Sequence, residues 1–540
     1  MYFGNSLKFI NEFLKRSINQ FRNIYLKSSY YSNKISKLEI DNINYQPSLN
    51  ILSCLVKYDK KKIKIEDLDK EIIWDSKLSN RHYKNLNNFY WLFSIDLKSS
   101  KNITQSIIEK WIDKNQNYNS KSWKTDILSK RIISWIANSK MVYEDSDIKY
   151  KQKFNLSINK QINHLINETR RSLSIDDGLL GCIAITMIGL SYKNKRILNY
   201  GLELLKKIIL SSFDNKFFPK TRSIRQLNFY LKYFVLTREL LKEALIDVPD
   251  YLEEIIFYLG KSYFTFSNLN ESVLFNGNHQ SDLTEFNRYL ATHKYNFKNL
   301  NKETGGYAIL QNKNYILAVD IGPSPSKKFS SNYQSGALSF EFFYKGVKLV
   351  SNCGYFQDYK NKFNIISKST AAHSTLVVNN HSSCSFENKS SKYNSVENGL
   401  KIIEKNIIDG KDHWLIEASH NGYLKNFGLI HRRIVELFIK KNKIIGKDLL
   451  ISKKKSGSKN FDIRFHFMPG VKLTKTLLNK VILIEIENSG WKFSTNCKNI
   501  NIESGIYFGN KDQTNENQNI CISGNIEDYN QEIKWEFEKI

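Results

Sequence analysis

Three segments carry groups suited to moving protons or holding an anion. The first is Ser369-Thr370-Ala371-Ala372-His373-Ser374-Thr375-Leu376-Val377-Val378-Asn379, where an imidazole stands at the mouth of an apolar run. The second is Ala418-Ser419-His420-Asn421-Gly422-Tyr423 with His431-Arg432-Arg433, and the third is Arg464-Phe465-His466. Residues two apart on a strand share a face, so His431 sides with Arg433 and Arg464 with His466. An imidazole titrates near neutrality and serves as acid or base, while a guanidinium stays charged and holds anions. Together with His373 and His420, these pairs would line one sheet face. The plainer alternative is that sheets expose polar faces and a lone histidine is satisfied inside the fold. A further basic group, Lys220-Thr221-Arg222-Ser223 with Arg225, opens a helical pattern, where backbone donors favour anions; a basic surface turn explains it equally well.

Glycine usage shows which elements must position these groups. Seven of the 24 glycines precede residue 301 and the other 17 follow it. Helices exclude glycine and turn-rich sheets need it. Helical spacing supports the division: Ile127, Leu128, Arg131, Ile132 and Trp135 recur at three and four, and so do Ile183 to Leu190, Leu202 to Ile208, Leu227 to Leu241, and Tyr251 to Phe266. Residues 22–75 are less periodic and leave room for short strands. Trp91, Trp123, Trp135 and Tyr90 either stack on sugar or fill a core, and their helical spacing favours the core. After Gly305-Gly306 the period becomes two. Strands are expected at 315–321, 375–378, 414–418, 430–439, 444–450, 461–467, 481–486, 520–523 and 533–537, with turns at Lys345-Gly346, Asn442-Lys443, Ser456-Gly457-Ser458, Asn488-Ser489-Gly490 and Asn510-Lys511-Asp512. The expected fold is an α+β multidomain chain, with helical hairpins over 1–300 and an antiparallel β-sandwich over 301–540.

The chain has 540 residues, 41% hydrophobic and 13% aromatic, so it can bury cores along its length. Its 81 Lys and Arg against 53 Asp and Glu give a net charge of +28. That charge reflects either a lysine-rich solvated surface or attraction to a polyanion. Nucleic acid is disfavoured as the polyanion, because no zinc finger, RNA-binding aromatic motif or helix-turn-helix is evident. The six cysteines are scattered without a CxxC pair, which argues for buried thiols over a disulfide framework or a zinc knuckle. Met1 to Gln20 alternates apolar and charged residues, as in an amphipathic helix docked on its own domain. It lacks the unbroken apolar core of a signal peptide, and no run long enough to span a membrane occurs. A cytoplasmic location is the default expectation, with the cell envelope or periplasm as the alternative. Oligomeric state is left open.

The order Leu338-Ser339-Phe340-Glu341-Phe342, a turn, Leu349-Val350-Ser351-Asn352-Cys353-Gly354, then the segment around His373 resembles the C-terminal signature of the heparinase II/III-like polysaccharide lyase family. The likeness runs through most of residues 85–540 and returns at His420 and His431. It implies an incomplete (α/α) toroid ahead of the sandwich, and an acidic polysaccharide as partner. Such a lyase removes the proton beside a uronate carboxylate and expels the glycosidic oxygen, which needs a cation at the carboxylate and a base. For that chemistry the catalytic candidates are His373, His420 and Arg433, with His373 or His420 as base and Arg222 or Arg433 as the cation. The substrate-binding candidates are Arg222, Arg225, Gln334, His431, Arg464 and His466, with Gln334 able to supply only a neutral hydrogen bond. Gln334 stands where the family has a histidine, Gly336 where a carboxylate often sits, and Asn352 where an aspartate precedes the turn. Asp176-Asp177-Gly178 replaces an Asn-His pair, and the usual tyrosine position falls near Gln226. No metal ligand set is assigned: a divalent metal is an option, but of the usual ligands His373 alone is present. The alternative function is a glycan-binding or envelope-assembly protein that keeps the lyase fold without cleavage. A weaker third reading, nucleic-acid binding through bulk charge, predicts steep salt dependence.

Overall fold

Isoleucine and leucine at three- and four-residue spacing wind the first half of the chain into helices. In the computed structural model, the residues described are 14, 17–37, 42–55, 74, 78–95, 101–172, 174–269, 271–359, 361–387, 395–453, 459–476, 481–487, 489–510, 513–526 and 530–540. The amphipathic helix expected over Met1–Gln20 lies largely outside them. So do the turn at Ser456-Gly457-Ser458 and parts of those at Asn488 and Asn510. The helices expected from periodicity appear as Thr125–Ala137, Ile175–Ser191, Lys195–Ser212, Ile224–Glu243 and Asp250–Ser267. Short strands do not appear in the described part of 22–75, which holds the helices Ser29–Ile35 and Leu49–Leu52.

Thr125–Ala137 shows why the spacing works. Ile127, Leu128, Ile132 and Trp135 are all buried, and the helix packs on Ile175–Ser191. Arg131 shares that buried stripe. Its guanidinium bonds Gln161 Oε1 at 2.8 Å and the carbonyls of Asn87 and Ser122 at 2.9 and 3.0 Å, and it lies 4.1 Å over the Trp111 ring. Burial of this arginine is offset by the bonds at Nε and Nη1 and by the indole face, while Nη2 has no hydrogen-bond partner among the described residues. Trp123 and Trp135 are core residues at 2% and 0% exposure, so neither is a sugar platform.

Helices give way to strands between Thr292 and Glu303. The compact units interleave around that change. One comprises Met1–Ser211, Tyr230–Ile256 and Arg288–His293; the other comprises Ser212–Phe229, Phe257–Asn287 and Lys294–Ile540.

The second unit contains three larger antiparallel sheets among the described residues. An eight-stranded sheet runs in the order Lys472–Lys475, Val481–Ile486, Ser489–Thr495, Asn530–Lys539, Lys443–Ser452, Leu429–Phe438, His413–His420, Ile402–Asp409. A five-stranded meander spans Glu303–Thr304, Tyr307–Gln311, Tyr315–Asp320, Phe340–Tyr344 and Val347–Val350. A four-stranded sheet orders Asn499–Tyr507, Asn515–Ile526, Lys459–His466 and Leu376–Val378. Alternation is strict on Leu429–Phe438, where every odd residue is buried. The three inner faces share one apolar core. At its centre Phe340 stacks on Trp535 at 5.3 Å and Phe465 meets the same indole at 4.8 Å. Each such ring contributes on the order of 1.5–3 kcal/mol by leaving water. The hairpin turn read at Lys345-Gly346 is present, with φ of 48° and 87° at its two residues. The thiols of Cys54, Cys182, Cys353, Cys384 and Cys521 are buried, and all six cysteines are free. Among the described residues, no helix is long and apolar enough to cross a membrane.

Candidate functional site

The Thr370–Ala372 turn of 3-10 helix brings His373 back onto the segment that starts it. His373 Nδ1 lies 2.9 Å from the Ser369 carbonyl oxygen. A carbonyl only accepts, so the proton sits on Nδ1 and the Nε2 lone pair is left over. Nε2 is buried and has no hydrogen-bond partner among the described residues. Burial lowers this imidazole to about 4, so it is neutral at physiological pH. The ring lies against Gly336: a Cβ there would stand 2.5 Å from His373 Cδ2 and 3.0 Å from Nε2. The glycine that replaces a family carboxylate is therefore what makes room for the ring.

Beneath His373 lies a buried polar chain built by strand register. His420 faces His431 across one strand pair, and Arg433 faces Asp448 across the next. The Gly422 N–H donates to His420 Nδ1 at 3.0 Å, so His420 carries its proton on Nε2 and gives it to His431 Nδ1 at 3.3 Å. His431 Nε2 then donates to Asp448 Oδ1 at 2.6 Å. One tautomer assignment satisfies all three bonds with both rings neutral. Asp448 also accepts from Arg433 at 2.7 and 2.9 Å and from Trp535 Nε1 at 2.8 Å. Burial alone would raise Asp448, but Arg433 and His431 hold it well below the usual carboxylate range. Burial pushes both imidazoles down. Arg433 Nη1 reaches up to the carbonyls of Leu338 and Ser374 at 2.9 and 2.6 Å.

The expectation that His420, His431 and Arg433 face a substrate is therefore corrected. They share a face, as the period-two pattern required, but it is the inner one, and each is at most 1% exposed. Of the three, Arg433 reaches the backbone next to His373, through the Ser374 carbonyl, and the two imidazoles support it through Asp448.

His466 is buried as well. Its Nε2 donates to the Ala371 carbonyl at 2.9 Å, Nδ1 lies 2.7 Å from Asn519 Oδ1 and 3.2 Å from Cys353 Sγ, and burial lowers it to about 4. Arg464, half-buried, pairs with Glu503 at 3.0 Å and Asp462 at 3.4 Å.

Two expected substrate ligands are fully engaged inside the fold. Gln334 donates to the carbonyls of Gly354 and Ser367 at 2.9 and 2.6 Å and accepts from the Gly277 N–H at 2.8 Å. Arg222 pairs with Asp320 at 2.6 Å and donates to the carbonyls of Gly305, Gly306 and Pro323 at 3.0, 3.0 and 3.1 Å. Burial alone would lower Arg222, and Asp320 more than offsets it. Both residues clamp loops inside the fold, and both side-chain N–H groups of Gln334 are taken. Asn352 is likewise structural: its Oδ1 accepts from the Ser374 N–H at 2.9 Å, and its own amides donate to Glu341, which pairs with Lys348 at 2.9 Å.

Residues not singled out from the sequence lie in the same unit beside Gln334. The Tyr355 hydroxyl donates to Asn332 Oδ1 at 3.1 Å and accepts from Asn364 Nδ2 at 3.1 Å. Burial raises this phenol while the Arg225 charge opposes the rise. His279, half-buried, lies 3.5 Å from Gln357 Nε2. Tyr355 directly follows the Cys353-Gly354 turn, and His279 closes Asn276-Gly277-Asn278; polar residues beside such turns were the available signal. No cluster of three His, Cys, Asp or Glu side chains able to hold a metal occurs among the described residues. Gly336 and the engaged Asn352 explain why His373 has no co-ligands.

Neutral buried histidines make the fold acid-sensitive. An unfolded imidazole protonates near pH 6.5, whereas His373 and His466 resist to about 4. Between those values the unfolded chain binds more protons, so stability present above pH 6.5 is lost as pH falls, by roughly 3 kcal/mol per histidine at pH 4. Urea midpoints measured from neutrality downward should fall steeply below about pH 6. A midpoint level to about pH 4.5 would show that these rings are not buried neutral.

The comparisons bear on what this geometry belongs to. Residues 300–536 match the family model for the heparinase II/III-like C-terminal domain. A crystal structure of heparinase III is similar over 95% of this chain and 89% of that chain, with a TM-score of 0.67 and 14% identity. The heparan sulfate lyase HepC from Pedobacter heparinus covers 95% and 87%, with a TM-score of 0.63 and 13% identity. No curated protein matches the sequence. The architecture is thus the polysaccharide lyase fold expected from the sequence, a helical toroid followed by an antiparallel β-sandwich, and the matched region holds His373 and the buried chain of His420, His431, Arg433 and Asp448.

Proposed function

We propose that the protein is a polysaccharide lyase acting on an anionic, uronate-containing glycan by β-elimination. His373 carries this reading: an imidazole neutral at physiological pH, oriented through Nδ1, with an unshared pair on Nε2. In the reaction Nε2 takes the proton beside the uronate carboxylate, its electron pair forms the carbon–carbon double bond, and the glycosidic C–O bond breaks. The departing oxygen takes a proton from Tyr355, whose phenol burial keeps protonated. Arg225, close enough to act on Tyr355, neutralises the carboxylate. His420, His431 and Arg433 are positioning residues. His373 is 1% exposed, so substrate entry needs the Gln334–Ala337 loop to move aside.

That burial, with the internal engagement of Gln334 and Arg433, favours a second reading: a protein that binds acidic glycan and does not cleave it. Ultraviolet absorbance separates the two, because elimination creates an unsaturated uronate chromophore. Incubation with heparan sulfate, chondroitin sulfate, hyaluronan and alginate should raise absorbance on at least one polymer. Retention on an immobilised polymer with no absorbance rise on any of them would leave the binding reading in its place.

A further inference from the structure

Apart from the groups around His373, the second unit holds a cleft of about 1330 Å³. One wall is the hairpin where Phe213 bridges Pro219. Asp214 Oδ1 ties its tip by accepting from the N–H groups of Lys216 and Phe218 at 2.9 and 2.8 Å. The tip residue Phe217 has φ of 59°. Left-handed backbone is costly for an aromatic residue and is kept where the surroundings or a function demand it. Here it lays the Phe217 ring flat against Tyr258, 4.9 Å away and 5° from parallel. Tyr258 is 39% exposed, and Lys261 Nζ stands 5.7 Å from its ring and 4.3 Å from that of Phe257. The opposite wall is fixed by two ion pairs, Lys302 with Asp409 at 2.5 Å and Lys405 with Glu303 at 2.6 Å. The lining also includes Gly306 and Gly322, packed on the Arg222 guanidinium, and Gly305, packed on the Phe218 ring.

The lining has seven basic and three acidic side chains, with serine hydroxyls and asparagine amides between them. We propose that this cleft binds a segment of anionic saccharide, as a site separate from the residues around His373. An aromatic face takes the apolar side of a sugar ring, amides and hydroxyls take its hydroxyls, and the lysines take its carboxylate or sulfate groups. A polynucleotide presents flat bases along its phosphate line and gives the serine hydroxyls and asparagine amides fewer hydroxyl partners than a saccharide does. The proposal rests on the acidic-glycan class of the proposed function and on nothing in its chemistry.

The test is binding of a heparin octasaccharide by calorimetry at physiological salt, with maltoheptaose and a twenty-nucleotide oligo(dT) as comparators. Lys216→Glu combined with Lys261→Glu should weaken octasaccharide binding ~10-fold or more, the equivalent of ~1.4 kcal/mol. Tyr258→Ala should weaken it about fivefold, with an unchanged melting temperature in both variants. Maltoheptaose should bind at least ~10-fold more weakly than the octasaccharide. Octasaccharide affinity indifferent to the charge reversal, oligo(dT) binding as tight as the octasaccharide, or no binding by the wild type would each overturn the proposal. Cleft-dependent binding without unsaturated product would remove the lyase reading and keep this one. Product formation with binding indifferent to these variants would do the reverse.

Discussion

Asp448→Ala should destabilise the protein by about 3–5 kcal/mol, the scale of breaking a buried ion pair by removing one partner. The loss leaves Arg433 at 1% exposure with no counter-charge, and it strips the acceptor from His431 Nε2 and Trp535 Nε1. Each orphaned donor keeps its full desolvation cost. Asp448→Asn retains the shape but not the charge, and should fall between the variant and the wild type. The double change Asp448→Leu with Arg433→Met removes both charges and should recover part of the loss, because paired apolar replacements of buried ions are often tolerated. Urea unfolding monitored by tryptophan fluorescence reads all three. A loss below about 1 kcal/mol for Asp448→Ala would mean that the network is solvated and not sealed. A further consequence follows from Arg433 Nη1, which fixes the carbonyls of Leu338 and Ser374: the double variant should refold yet hold His373 less well.

How far this site is legible in sequence depends on where each residue's partner lies. Parity along Leu429–Phe438 correctly put His431 with Arg433, since a strand's period is fixed by its geometry. Parity cannot say which face is inner. That depends on Asp448, which meets Arg433 only through the register of the next strand. Arg222 has the sequence appearance of a basic turn because Asp320, its counter-ion, lies 98 residues downstream. The change from helix to sheet was legible because glycine and periodicity report local backbone needs. Ile402–Asp409 escaped notice because most of it is exposed, so it shows little apolar alternation. Tyr307–Gln311 is buried at four consecutive positions, which also erases period two. Tyr355 and His279 sit on irregular segments, whose side-chain directions no periodicity predicts.

On the polymer degraded fastest, His373→Ala should lower turnover ~10²-fold or more, the usual scale for loss of a general base. His373→Gln is the sharper variant: its amide can still donate to the Ser369 carbonyl, but it offers no nitrogen that takes a proton. Equal losses in the two variants assign the effect to the lone pair on Nε2 and not to packing. Gly336→Ala tests geometry from the other side. Its Cβ would come within 2.5 Å of the imidazole, so the ring must shift, and turnover should fall with KM nearly unchanged. The pH profile supplies a separate check. Because burial lowers His373 to about 4, the base stays unprotonated through neutrality, and kcat should not fall on the acid side until the pH nears 4 or the protein itself unfolds. An acid limb near pH 6.5 would mean that a solvated histidine, and not His373, is the base. Wild-type turnover in His373→Gln, with the melting temperature preserved, would remove His373 from the chemistry altogether.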